Sequence, residues 1–203
     1  MQQTDLLIAL AGFCVVTLFT PGPNNIMLMT SGLNFGIRRT LPHMVGVSLG
    51  FAFMVLGVGF GLGTLFETWP VLYPVLKYVG ACYLLFLAWK IANSGPVKSS
   101  NDARGKPMTF IQAVAFQWVN PKAWVMAVGA TSAYAAVAVF PFNVLIMSGL
   151  YGSLGFASAG TWVGFGLGLQ RMINNPRSVR VFNWAMAVLL VASLYPIFAE
   201  GLQ

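Results

Sequence analysis

The chain has 203 residues, of which 58% are hydrophobic and only 7% charged, with a mean hydropathy of +0.77. That balance excludes an ordinary soluble domain, whose surface needs far more charge. Eleven basic residues against four acidic ones give a net charge of +7, but they lie scattered between apolar stretches, without the basic face and groove-reading residues of a nucleic-acid binder.

The N-terminus, MQQTDLL, lacks a basic leader and carries Asp5, so the first apolar stretch is expected to be a retained helix rather than a cleaved signal peptide. Residues 6–29 and 44–66 are each free of Asp, Glu, Lys and Arg. Each is long enough to cross a hydrocarbon core of about 30 Å. A short connection with Glu67, Trp69 and Pro70 leads to a third span, 72–91, bracketed by Lys77 and Lys90, which can snorkel to the interface. The segment NSGPVKSSNDARGKPMT, 93–109, is a polar linker too short to be a domain. Spans at 110–138, 142–169 and 181–199 complete an all-α, polytopic membrane protein of six transmembrane helices in one domain. Its two halves, 1–92 and 110–203, hold three spans each.

Nine of the basic residues fall on alternate connections: Arg38 and Arg39; Lys90, Lys98, Arg104 and Lys106; Arg171, Arg177 and Arg180. The positive-inside bias places these in the cytoplasm and both termini outside an inner membrane. Asp5, Glu67 and Glu200 then all face outward. With three spans per half, the second half enters from the opposite side, which permits an inverted 3+3 repeat. Its marks are TPGPNN at 20–25 and VNPKAW at 119–124, each interrupting the first span of its half. Glycines recur in the second span of each half, and the row Gly160, Gly164, Gly168 is expected to admit a neighbouring helix.

Proline within a helix removes an amide and crowds the carbonyl four residues earlier, so Pro21, Pro23 and Pro121 are expected to free the carbonyls of Thr17, Phe19 and Gln117. In lipid, freed groups need partners. The matched breaks, with Asn24, Asn25 and Asn120 beside them, point to a binding site of the broken-helix kind. Lys122, roughly 18 Å along a helix that starts at Phe110, falls near mid-membrane. A charge there is expensive and marks function. Restarted helix ends and Lys122 suit a carboxylate, and the asparagines and freed carbonyls suit an ammonium; a zwitterion fits both, and a simple carboxylate remains open. Trp124 is expected to line the pocket or to offer a cation–π contact.

FTPGPNN, GVSLGF, GACYLLFLAWKI and QWVNPKAW together resemble the lysine exporter/homoserine-threonine exporter family over nearly the whole chain. The resemblance implies six helices, an inverted repeat, proton-linked efflux of a small amino acid and a homodimer. It maps the family's signatures onto Pro21, Gly22, Pro23 and Asn24, and onto Asn120, Pro121 and Lys122. Many members carry an aspartate after the second-span glycine, where this chain has Phe51. The pattern is closer to the cysteine/O-acetylserine exporter branch. Coupling then runs through Lys122, through His43, or through no protonatable side chain.

Other motifs lead nowhere. Gly46-Val47-Ser48-Leu49-Gly50 matches a nucleophile-elbow pattern but lies within a span, and His43 is about 140° around the helix from Ser48. His43 is expected to be solvated at the membrane edge. Cys14 and Cys82 show no metal or disulfide spacing, no phosphate-binding GxxxxGK[ST] loop occurs, and no cofactor is implied. A passive channel and a non-transporting subunit are the alternatives to an exporter.

Overall fold

The computed structural model describes residues 3–94, 106–173 and 175–195. Helix α1 (Gln3–Phe19) ends just before Pro21, which has no amide to continue the ladder. The chain passes through Gly22 in extended conformation and restarts as α2 (Pro23–Gly57), with Pro23 in the first turn, where an amide would have no helical partner anyway.

Helix α2 is not a straight rod. Gly36 takes φ 73° and ψ 174°, a conformation open mainly to glycine, and the chain folds back there. Ser31 Oγ and Thr40 Oγ1 lie 2.9 Å apart although they are nine residues apart in sequence, a separation of about 13 Å along a straight helix. The reversal yields two arms, 23–35 and 37–57. The second continues through a wide π turn, Val58–Leu62, with Gly61 at φ 111°, into the short α3 (Thr64–Thr68).

Helix α4 (Leu72–Ala92) follows. Beyond the linker, Thr109 and Gln112 form a reciprocal cap that starts α5 (Phe110–Val119). Asn120 interrupts, and α6 (Pro121–Ala133) begins with proline, as the first arm of α2 does. Helices α7 (Phe142–Met172) and α8 (Pro176–Ala192) complete the described fold, and no strand occurs in it. Among the described residues, Pro23–Leu62, Pro74–Ala92 and Phe142–Met172 are long and apolar enough to cross a membrane, and Gln3–Phe19 and Phe110–Val119 are shorter apolar helices.

Several boundaries differ from expectation. The second arm begins at residue 37 rather than 44, so Arg38 and Arg39 are helical, because one glycine makes the whole reversal. The span 110–138 is divided at Asn120, as VNPKAW implied, but its second helix ends at Ala133 rather than at 138. Helix α8 starts at Pro176, earlier than 181, because Asn175 caps it there by accepting from the Arg177 amide at 2.8 Å. Residues 95–105, with Lys98 and Arg104, and 196–203, with Glu200, lie outside the described residues.

Helix α7 lies along both arms of α2, and glycines set the approach. A Cβ at Gly32 would stand 2.6 Å from the Val163 carbonyl oxygen, and one at Gly166 would collide with the Met29 carbonyl. Gly46 and Gly50 admit α5 to the second arm in the same way. The expected row does not pack: a Cβ at Gly164 or Gly168 meets open space, and one at Gly160 only the tip of Met44 at 3.9 Å. Helical periodicity is the reason. Gly155, Ala159, Val163 and Gly166 occupy the buried face of α7, and Gly164 and Gly168 lie off it.

Candidate functional site

The two breaks meet. Asn24, just past the first, and Gln117, just before the second, exchange side-chain hydrogen bonds: Asn24 Nδ2 donates to Gln117 Oε1 at 2.8 Å, and Gln117 Nε2 to Asn24 Oδ1 at 3.3 Å. Asn25 Nδ2 donates to the carbonyls of Leu18 and Thr20, both at 2.9 Å. Ser158 of α7 donates to the Leu18 carbonyl as well, at 2.9 Å. Lys122 Nζ reaches across the breaks to donate to Thr20 O at 2.6 Å and Pro21 O at 3.4 Å. An ammonium has three donors, so these contacts do not exhaust it.

The carbonyls receiving side-chain donors are thus Leu18, Thr20 and Pro21 rather than the expected Thr17 and Phe19; the Gln117 carbonyl takes the Asn120 amide at 3.3 Å. Pro23 and Pro121 begin helices instead of interrupting them, so the free groups belong to the preceding helix ends. The two restarts are also unequal. Asn120 Oδ1 accepts from the Lys122 amide at 3.2 Å and caps α6, whereas Gly22 offers α2 no side-chain cap. The first amides of α2 are therefore the better electrostatic partner for an anion beside Lys122.

A cleft with about 490 Å³ of empty space, counted out through its open mouth, occupies this junction. Of the sequence-predicted residues, Gly22, Asn24, Asn25, Asn120 and Lys122 line it. Pro21, Pro23 and Pro121 shape the backbone behind it. Trp124 is not brought to it: its indole donates to the Trp118 carbonyl at 2.9 Å and its ring meets Trp118 edge-on at 5.9 Å, closing the second break. The remaining wall includes Thr17, Ser48, Phe51, Tyr151 and Ser158, and none of its described residues is acidic. Phe51 packs edge-on against Tyr151 at 5.0 Å, and the Tyr151 hydroxyl lies 3.5 Å from Thr17 Oγ1.

The side chains of Gln117, Tyr151 and Ser158 were not singled out from sequence, where Gln117 figured only for its carbonyl. Gln117 carries a usable signal, as a polar residue four positions before Pro121 in an apolar helix; Tyr151 and Ser158 belong to a glycine-rich stretch where nothing distinguishes them. Ser48 donates to the Met44 carbonyl at 2.9 Å, a back-bonded helix hydroxyl rather than a nucleophile. His43 is not solvated but 1% exposed, because the fold-back at Gly36 lays the first arm over it.

Helix restarts that converge on one lysine within an apolar bundle are an arrangement suited to a multi-pass membrane translocator. The chain belongs to the LysE type translocator family, whose model matches residues 15–193. It is 34% identical over 203 residues to the cysteine/O-acetylserine efflux protein of Escherichia coli (strain K12), covering 95% of this chain and 97% of that protein. The cysteine/O-acetylserine efflux protein of Salmonella typhimurium (strain LT2) is 34% identical over 165 residues, 76% of this chain and 82% of that protein. No solved structure matches. The chain is accordingly a membrane transport protein and not an enzyme.

Proposed function

We propose that the chain exports a small neutral amino acid or derivative, of the cysteine or O-acetylserine kind, from the cytoplasm across the inner membrane. The observation that carries this reading is Lys122: one ammonium in a cavity whose described lining has no carboxylate. A cargo carboxylate meets Lys122 and the uncapped amides of α2, and its ammonium meets the side-chain oxygens of the asparagines. A cationic side chain would lack a partner there. Tyr151, Thr17 and Ser48 face the cargo side chain with hydroxyls suited to a thiol or an ester.

In this reading six spans form an inverted 3+3 repeat with both termini outside, and a homodimer is the assembly implied by the family. The fold-back at Gly36, which makes two spans of α2, and the matched proline restarts support the count and the repeat. Export is proton-linked, through Lys122, through His43, or through no protonatable side chain.

The test is flux of labelled L-cysteine in proteoliposomes, with and without a pH gradient, normalised to inserted protein. Lys122→Met is expected to abolish export while inserting normally, since removing a mid-membrane charge eases insertion. Lys122→Arg keeps the charge in a larger, always-protonated group; if Lys122 carries the coupling proton it is expected to allow exchange but not gradient-driven accumulation, and if Lys122 only binds the carboxylate it retains weak, altered transport. Export by the methionine variant at the unsubstituted rate would overturn the site.

A further inference from the structure

A second cavity, with about 410 Å³ of empty space counted out through its open mouth, lies at the end of the bundle where α2 reverses. Its wall joins Thr30 and Ser31 of the first arm, His43 of the second, Lys90 at the end of α4 and Lys106 ahead of α5. None of its described residues is acidic. Lys90 Nζ lies 5.7 Å from the centre of the Phe86 ring, a cation–π contact. Two ammonium groups on such a wall suit a small oxyanion; the Thr30 hydroxyl donates to the Ile26 carbonyl at 2.8 Å and is not among the donors.

His43 adds the second observation. Its ring is 1% exposed, yet neither Nδ1 nor Nε2 has a hydrogen-bond partner among the described residues. A neutral imidazole carries one donor and one acceptor, and burying both unmatched is costly. On the second arm of α2, Val47 and Phe51 follow His43 by one and two turns on the same face, and both line the central cavity. His43 thus stands between the two cavities, its ring covered in this conformation.

We infer that the second cavity is a loading site for the carboxylate of the cargo amino acid, held by Lys90 and Lys106 before it passes His43 into the central cavity. The inference rests on the exporter reading above and extends it to a second binding position. The two positions lie on opposite sides of the first arm of α2: Asn25 and Leu28 face the central cavity, and Met27, Thr30 and Ser31 the second.

The chain has a single histidine, which makes the test direct. Protein purified without a histidine tag and labelled with ring-¹⁵N histidine is placed in nanodiscs of zwitterionic lipid and titrated with L-cysteine. The Lys122→Met background disables the central site, so any saturable shift of the ring resonances reports the second. Adding Lys90→Gln and Lys106→Gln to that background is expected to raise the half-saturating cysteine concentration roughly tenfold, as for two partly solvated charged contacts. No shift in the Lys122→Met protein, or a shift indifferent to both lysines, overturns the loading site. So does a perturbation produced by anionic lipid alone to which cysteine adds nothing, which would assign the cavity to a lipid headgroup. Failure of the exporter reading has a different mark, namely undiminished export by Lys122→Met.

Discussion

Replacing Gly22 by alanine tests Lys122 without altering it. A Cβ at Gly22 would stand 2.8 Å from Lys122 Cδ and 3.0 Å from Nζ, and the backbone there is extended, so alanine brings no strain of its own. The flexible lysine gives way and the fold survives. Gly22→Ala is therefore expected to insert normally but to raise the half-saturating cargo concentration in proteoliposome flux by roughly tenfold, the loss of one charged contact. Gln117 permits a second test, since Gln117→Leu strands the Asn24 amide and should lower stability in detergent by about 1–3 kcal/mol. Adding Asn24→Leu should cost less than the sum of the single changes, because both remove one reciprocal pair; full additivity would show that the pair is not coupled. Lys122 and the asparagines were legible in the sequence because charge and amides are rare in apolar spans. Trp124 was misplaced, since sequence gives its neighbours but not which way its ring turns, and the freed Trp118 carbonyl took the indole.

Helix packing was legible in kind and not in register. Glycine-rich second spans announced close approach, yet Gly164 and Gly168 proved to face away from α2, and Gly160 to meet only the tip of Met44. A small-residue pattern names a face only if the partner's position is known, and several offset rows compete in α7. The contrast makes a prediction: Gly166→Leu should destabilise the fold by about 3 kcal/mol or prevent assembly, because the Met29 carbonyl is rigid backbone. Gly164→Leu should fall within about 0.5 kcal/mol of the unsubstituted protein. Thermal unfolding and size exclusion in detergent measure both, and equal effects would contradict the packing of α2 on α7. The breaks themselves were well placed by proline, whose chemistry is local. The reversal at Gly36 was not, because a glycine in an apolar run is equally at home inside a helix, and only its φ distinguishes the two.

At the scale of the molecule, charge asymmetry in the connections predicts that a reporter fused after Gln203 is active only outside the membrane, and one inserted at Ser99 only in the cytoplasm. A cytoplasmic C-terminus would overturn the proposed orientation and the inverted repeat with it. The helical class followed from composition, a property that does not depend on tertiary detail. The cavities did not, since they arise where distant segments meet.

The bond from Lys122 Nζ to the Thr20 carbonyl bears on how such a carrier is primed. At 2.6 Å the broken backbone already holds the ammonium in place and leaves it a donor to spare, so a carboxylate joins a fixed charge instead of one that must first be ordered. Each 1.4 kcal/mol of ordering cost avoided in this way strengthens apparent affinity about tenfold. The break in the first helix is thus also a gunsight: the residues that stop the helix aim its charge.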